Sequence, residues 1–212
     1  MNKFIFSAVT LLAAAAGSVG SAEFVEKFNG SKLADEWQIF WQEKCDTIDS
    51  TVKNNTLTIN GLKNAKAGAN ASYDRFIGEI GGDLEFTCNV QYLSGKGEIS
   101  GGYTISVSNA NGESFFRVNL DGSEDGKKFK VSGRQGHQSQ LLKSTPVTVK
   151  APAKGVLRVT RTKSLYVVSW NNKEVARINS DLADASLMRI AVSGVNPGGL
   201  QLSNLELKSV GK

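Results

Sequence analysis

Asp83 and Glu85 stand two residues apart in the cleanest alternating run of the 212-residue chain. Leu84, Phe86, Cys88, Val90 and Tyr92 alternate there with Asp83, Glu85, Thr87, Asn89 and Gln91, the period of a strand with one buried and one polar face. Side chains two apart on a strand emerge on the same face, about 6 to 7 Å from each other. Two carboxylates so placed can divide acid and base roles on a glycosidic bond, although a retaining mechanism wants about 5 to 5.5 Å between them. The next acidic residue upstream, Glu79, is displaced by Gly81-Gly82, which interrupts the regular strand. Ordinary solvent-facing carboxylates are the favoured reading, with Asp83 and Glu85 kept as weak catalytic candidates.

His137 is the one histidine of the chain, in Arg134-Gln135-Gly136-His137-Gln138-Ser139-Gln140. Beside an arginine it has the makings of a general base. In a loop of Gln and Ser it reads more simply as a polar surface residue, and it stays a weak candidate. Asp121-Gly122-Ser123-Glu124-Asp125-Gly126 carries several oxygens, but calcium takes six to eight ligands and the EF-hand spacing is not met. A glycine-closed turn explains the same residues. No metal and no cofactor is expected.

The more distributed signal is polar. Tyr103, Ile105 and Val107 alternate with Thr104, Ser106 and Ser108, and Phe116, Val118 and Leu120 alternate with Arg117 and Asn119. If these strands neighbour the one from Leu84 to Tyr92, then Asp83, Glu85, Thr87, Asn89, Gln91, Thr104, Ser106, Ser108, Arg117 and Asn119 share one polar sheet face. Planar polar side chains satisfy the vicinal hydroxyls of sugars, and an aromatic ring covers the apolar face of a pyranose. Trp170, in Leu165-Tyr166-Val167-Val168-Ser169-Trp170, is the candidate for that ring, with burial in the core as its favoured alternative.

The elements that must position these groups are short and β-like throughout. Further strand-like runs cover residues 24–28, 37–41, 56–60, 129–131, 147–149 and 156–160, and residues 155–208 form a dense block of them. Asn54-Asn55, Asn109-Ala110-Asn111-Gly112 and Asn171-Asn172 mark turns, and residues 63–70 read as a surface loop. In the closing strand the alternation changes phase between Leu200, Leu202 and Leu205, Leu207, which predicts a bulge at Ser203-Asn204. No apolar stripe of helical period persists beyond the first residues, so two packed antiparallel sheets are expected, an all-β sandwich.

Residues 1–22 stand apart from that pattern. Lys3, an apolar run from Phe4 to Ala16 and the small residues Gly20-Ser21-Ala22 read as a secretory signal peptide cleaved after Ala22, too short for a membrane span. Residues 23–212 then form one secreted or periplasmic domain with no membrane span. The formal net charge of +5 is scattered, and Lys127-Lys128 with Lys130 is the one tight basic group. No aromatics interleave it, so nucleic acid is not an expected partner. Cys45 and Cys88 are the two cysteines. Cys88 shares the core face of its strand, and Cys45 shares parity with Trp37, Ile39 and Trp41 if that strand runs unbroken. A disulfide in an exported chain and two buried thiols are equally open.

Two stretches carry a family likeness. Phe28-Asn29-Gly30-Ser31-Lys32-Leu33 is followed by Trp37 and by Asn55-Thr56-Leu57-Thr58-Ile59. Leu157-Arg158-Val159-Thr160-Arg161 leads through Tyr166 to Trp170-Asn171-Asn172-Lys173-Glu174-Val175, closed by Leu202-Ser203-Asn204-Leu205-Glu206-Leu207. Together they resemble the concanavalin A-like lectin and glucanase superfamily, in its laminin G-like, family 16 glucanase-like or 3-keto-disaccharide hydrolase-like branch. Asn172 stands where the late turn usually has glycine, which Asn tolerates because it can adopt a left-handed conformation. The resemblance implies a jelly roll with its first and last strands paired and a ligand on the concave face. It also implies that a family 16 glucanase would need a Glu, Asp and Glu series on one strand, and the Gly81-Gly82 break disrupts that series. The expectation is a lectin-like, non-catalytic module whose partner is a polysaccharide or glycan. A glycoside hydrolase or polysaccharide lyase is the first alternative, and a structural or protein-interaction module the second.

Overall fold

Alternation with a period of two, repeated between Asn- and Gly-rich turns, gives sixteen strands and no helix among the described residues. The computed structural model describes residues 23–95, 97–112, 114–134, 143–180 and 184–210. The expected leader, residues 1–22, and the loop holding His137 lie outside the described residues. In chain order the strands are β1 (Glu23–Glu26), β2 (Gln38–Glu43), β3 (Thr47–Lys53), β4 (Thr56–Lys63) and β5 (Asn70–Gly81). There follow β6 (Leu84–Leu93), β7 (Ser100–Ser108), β8 (Ser114–Gly122), β9 (Lys128–Arg134), β10 (Lys143–Ser144) and β11 (Val147–Lys150). The last five are β12 (Ala153–Thr162), β13 (Leu165–Trp170), β14 (Lys173–Asn179), β15 (Asp184–Asn196) and β16 (Gly199–Ser209).

They form two antiparallel sheets. A nine-stranded sheet runs β10-β14-β13-β12-β6-β16-β4-β3, with β1 also paired to β16. A seven-stranded sheet runs β11-β9-β8-β7-β15-β5-β2. The first and last strands pair as expected, Phe24 standing opposite Leu207. The two sheets pack face to face into the all-β jelly-roll sandwich expected above. The block 155–208 does not stay in one sheet: β12, β13, β14 and β16 belong to the larger sheet, and β15 is the centre of the smaller one between β7 and β5.

Aromatic pairs bridge the layers. Phe86 of the larger sheet meets Phe116 of the smaller at 5.3 Å between ring centroids. Tyr92 stacks on Phe129 at 4.8 Å, and Phe116 also touches Tyr166 at 6.3 Å. Such pairs each add about 0.5–1.5 kcal/mol beyond the area they bury. The Tyr103 hydroxyl, buried between the sheets, reaches the carbonyl oxygens of Ile59 and Gly198, so its polar end is satisfied where it crosses the layer.

Turn chemistry follows the residues that predicted it. Asn54 and Asn55 (φ 52° and 57°) join β3 to β4, and Asn171 and Asn172 (φ 48° and 64°) join β13 to β14. Two consecutive left-handed residues make the turn whose twist suits a two-residue hairpin. The bulge in the closing strand is present: the β16–β6 register shifts between Ser203 and Glu206, with Asn204 left-handed at φ 48°.

Three local expectations are corrected. The run 37–41 does not continue unbroken, because the β2–β5 register shifts between Ile39 and Trp41. Trp37 is therefore buried while Trp41 is exposed. Both cysteines are free thiols: Cys88 is buried on β6, whereas Cys45 lies past the end of β2 with its sulfur 3.6 Å from the Asn70 carbonyl oxygen. The shift that turns Trp41 outward also voids the parity that would have aimed Cys45 at Cys88. Finally, the stretch 70–81, given no strand by its sequence, forms β5. Its outward positions include Phe76 and its inward ones Arg75, which inverts the usual alternation.

Candidate functional site

The candidate face splits in two. β6 pairs with β12 and β16 in the nine-stranded sheet, whereas β7 and β8 belong to the seven-stranded sheet. Glu85, Asn89 and Gln91 thus lie on one outer face of the sandwich and Arg117 and Asn119 on the opposite one. Alternation specifies that one side of a strand is buried; it carries no information about which sheet the strand joins.

On the nine-stranded sheet, Glu85 accepts from Arg158 Nε at 2.9 Å and Nη2, and Lys208 Nζ stands 3.4 Å away. The Arg158 guanidinium holds the Glu85 carboxyl below its usual range. A carboxylate kept ionised by two cations is a poor proton donor. Asp83 Oδ1 accepts the backbone N–H of Lys163 at 2.7 Å and so pins the β12–β13 turn. These two candidates therefore hold strands together, each through its own partner. Asn89 and Gln91 open onto a cleft of about 100 Å³ with Thr56, Lys154, Gln201 and Ser203, well under the roughly 300 Å³ at which ligand pockets begin. Trp170 is 2% exposed and meets Phe129 edge-on at 5.6 Å; it is core, and its candidacy as a sugar platform is withdrawn. His137 lies outside the described residues.

A ligand-sized groove, about 380 Å³ in volume, forms on the outer face of the seven-stranded sheet. Its lining is Trp41, Asn70, Ala71, Thr104, Ser106, Arg117, Arg189, Ala191, Val192 and Ser193. With Tyr103, Ile105 and Val107 turned into the core, Thr104 and Ser106 must point outward on β7. Ser106 is nevertheless only 4% exposed, which marks the floor of a concavity. Register sets Ser106 opposite Arg117 on β8 and opposite Arg189 on β15, so two arginines flank one floor serine across three strands.

Arg189 is locked in place. Its Nε lies 2.8 Å from Asp74 Oδ1 and its Nη2 2.5 Å from Asp74 Oδ2, a bidentate pair across β15 and β5. That hydrogen bonding raises the arginine's own pKa, and the charge is permanent. Phe40, looped out by the β2 register shift, covers the guanidinium with its ring 5.4 Å from Cζ. Phe40 (74% exposed), Trp41 (51%) and Phe76 (67%) make an aromatic rim along the β2 and β5 edge. Ser72 stands opposite Trp41 in register, and its hydroxyl is buried without a hydrogen-bond partner.

Of the polar face read from sequence, Thr104, Ser106 and Arg117 line this groove; Asn119, two residues along β8, stands opposite Thr104 and contacts its hydroxyl at 3.4 Å. Sequence reasoning missed Trp41, Asp74 and Arg189. The available signal was Ile39-Phe40-Trp41, three consecutive large apolar residues, which no alternating strand can bury together.

Comparisons with known proteins agree on the fold. No protein-family model matches the chain, and no curated protein matches it. Solved structures do. The CBM2 module of the evolved Dit of Lactobacillus casei BL23 phage J-1 superposes with a TM-score of 0.60 at 8% identity, covering 92% of this chain and 100% of that one. The endo-β-1,3-glucanase from Pyrococcus furiosus gives 0.58 at 8% identity, covering 88% and 93%. The carbohydrate recognition domain of Emp47p gives 0.56 at 8% identity, covering 89% and 95%. The chain has the concanavalin A-like jelly-roll fold, shared at this distance by proteins that bind glycans and by proteins that cleave them.

Proposed function

We propose that the protein is an exported, lectin-like carbohydrate-binding module that holds a glycan, without cleaving it, in the groove of the seven-stranded sheet. The observation that carries the reading is the groove's chemistry: a floor of hydroxyl, amide and guanidinium groups beside a rim of exposed aromatic rings. Flat polar donors suit the hydroxyls of a pyranose, and an exposed ring suits its apolar face. No carboxylate stands among the lining residues. Asp74, beside them, is committed to Arg189, whereas retaining hydrolysis needs two carboxyls about 5 to 5.5 Å apart. Export is supported by the composition of residues 1–22, with Lys3, the apolar run from Phe4 to Ala16 and the small residues Gly20-Ser21-Ala22. N-terminal sequencing of the processed protein should begin at Glu23.

The test is affinity electrophoresis through gels containing a panel of neutral and acidic polysaccharides. Retardation by at least one of them, weakened about tenfold or more in Trp41→Ala, is the expected result. Release of new reducing ends or unsaturated sugars would make the protein an enzyme instead. Migration unaffected by every polysaccharide would leave the protein-interaction reading in place.

A further inference from the structure

The geometry points to an acidic glycan, one bearing carboxylate or sulfate groups along its chain, as the ligand of this groove; the inference rests on the carbohydrate-binding reading above. Two guanidinium groups, those of Arg117 and Arg189, line the groove and no carboxylate does. Asp74 offsets the charge of Arg189 but occupies only the edge formed by Nε and Nη2. The Nη1 amino group is left for a second acceptor, and guanidinium has the fixed fork that suits carboxylate or sulfate oxygens. Register also sets Arg134 of β9 opposite Arg117 of β8.

Spacing suits a polymer more than a single anion. Ser106 separates Arg117 from Arg189 in the cross-strand row, and neighbouring strands lie about 4.8 Å apart. The backbones that carry the two arginines therefore stand roughly 10 Å apart along the row by strand spacing alone, a reach that successive acidic sugars in an extended chain can match. The row runs on through Asp74 to Gln38, and the exposed ring of Trp41 stands beside it, opposite Ser72, at the β2 end of the groove, where an apolar sugar face would rest.

The discriminating experiment is isothermal titration of the purified protein with polygalacturonate and chondroitin sulfate as acidic polymers, and with laminarin and dextran as neutral ones. Affinity for an acidic polymer should exceed that for the neutral ones by about tenfold or more. Arg117→Gln should abolish that preference, and Arg117→Lys should retain part of it. Because a basic protein attracts polyanions at any surface, the control is Lys53→Gln with Lys63→Gln on the opposite sheet. That double variant removes two exposed charges and should leave the preference intact. If Arg117→Gln does not fold, the wild type supplies the answer by salt titration: affinity for a short acidic oligosaccharide should fall as salt is raised while affinity for a neutral one stays level, and equal salt dependence of the two overturns the acidic ligand. Equal or tighter binding of a neutral glucan overturns the acidic ligand and leaves carbohydrate binding standing. An equal loss in the Lys53, Lys63 variant also overturns it. Failure to bind any of the four polymers, or any other glycan, overturns both.

Discussion

Glu26 is the residue on which the N-terminal end of the sandwich depends. Its carboxylate is buried, accepts from the backbone N–H of Phe28 at 2.6 Å and from Trp37 Nε1 at 2.9 Å, and pairs with Arg75 Nη1. Arg75 in turn lies 5.0 Å from the Phe24 ring centroid. Glu26→Ala leaves a largely buried guanidinium and an indole N–H without their acceptor and should cost about 3 kcal/mol in urea denaturation. Glu26→Gln keeps an acceptor and should cost clearly less. Glu85 gives a pH-dependent counterpart. Its carboxyl is held below its usual value of 4.5, chiefly by the hydrogen bond from Arg158. A depressed carboxylate contributes stability above its unfolded pKa and loses it as pH falls through the folded one. The stability gap between wild type and Glu85→Gln should therefore be full near neutrality and close progressively as pH is lowered below 4.5. A gap unchanged down to pH ~3 would show that the Arg158 pair contributes nothing through charge. Neither role could be read from the sequence, where Glu26 is one charged residue in an alternating run and Glu85 is one polar residue on a strand face.

At the scale of the element, β15 and β7 meet at paired glycines. Gly101 and Gly194 both have positive φ, 110° and 87°, and a Cβ on Gly101 would lie 1.9 Å from the Ser193 carbonyl oxygen. The reciprocal Cβ on Gly194 would lie 2.2 Å from the Ser100 oxygen. The register between the strands shifts here, between Ser193 and Asn196, beside a residue that lines the groove. Gly101→Ala should destabilise the fold by about 1–3 kcal/mol and weaken glycan binding through displaced Ser193; thermal melts and the same gel assay read the two effects. Clean elements were legible from sequence: β6 runs Leu84–Leu93 with strict alternation of burial, as its residues demand. β5 was not legible, because Ser72 and Asp74 are polar yet buried and Phe76 is apolar yet exposed. Each is placed by a neighbour (Trp41, Arg189 and the open rim), and a local pattern cannot contain its neighbours' identities.

For the molecule as a whole, the two thiols report on integrity. Burial pushes the Cys88 thiol up to about 12, so it has almost no thiolate at neutral pH, while Cys45 is partly exposed. A thiol reagent such as dithionitrobenzoate should titrate one thiol in the native protein, and both once it is unfolded without reductant. A count of zero after unfolding would mean that the cysteines are bonded after all. Protection of Cys88 should be lost together with the global transition, since it sits in the same core cluster as Phe86 and Val90.

What the chain's residues determined unaided was the architecture: an all-β sandwich, the Asn-built hairpins and the bulge in β16. Those follow from properties that are local, such as burial parity and the left-handed tolerance of Asn. The site was decided by tertiary structure. Polar faces on β6 and on β7 and β8 look alike in sequence, and only the order of strands put them on opposite sides of the molecule. Strand order then brought β5, β15 and the broken edge of β2 beside β7 and β8, and so set Arg189, Asp74 and Trp41 next to Arg117. Residues distant in the chain meet there because burying one face of every strand leaves its partners to be chosen by long-range packing, which no window of alternating residues records.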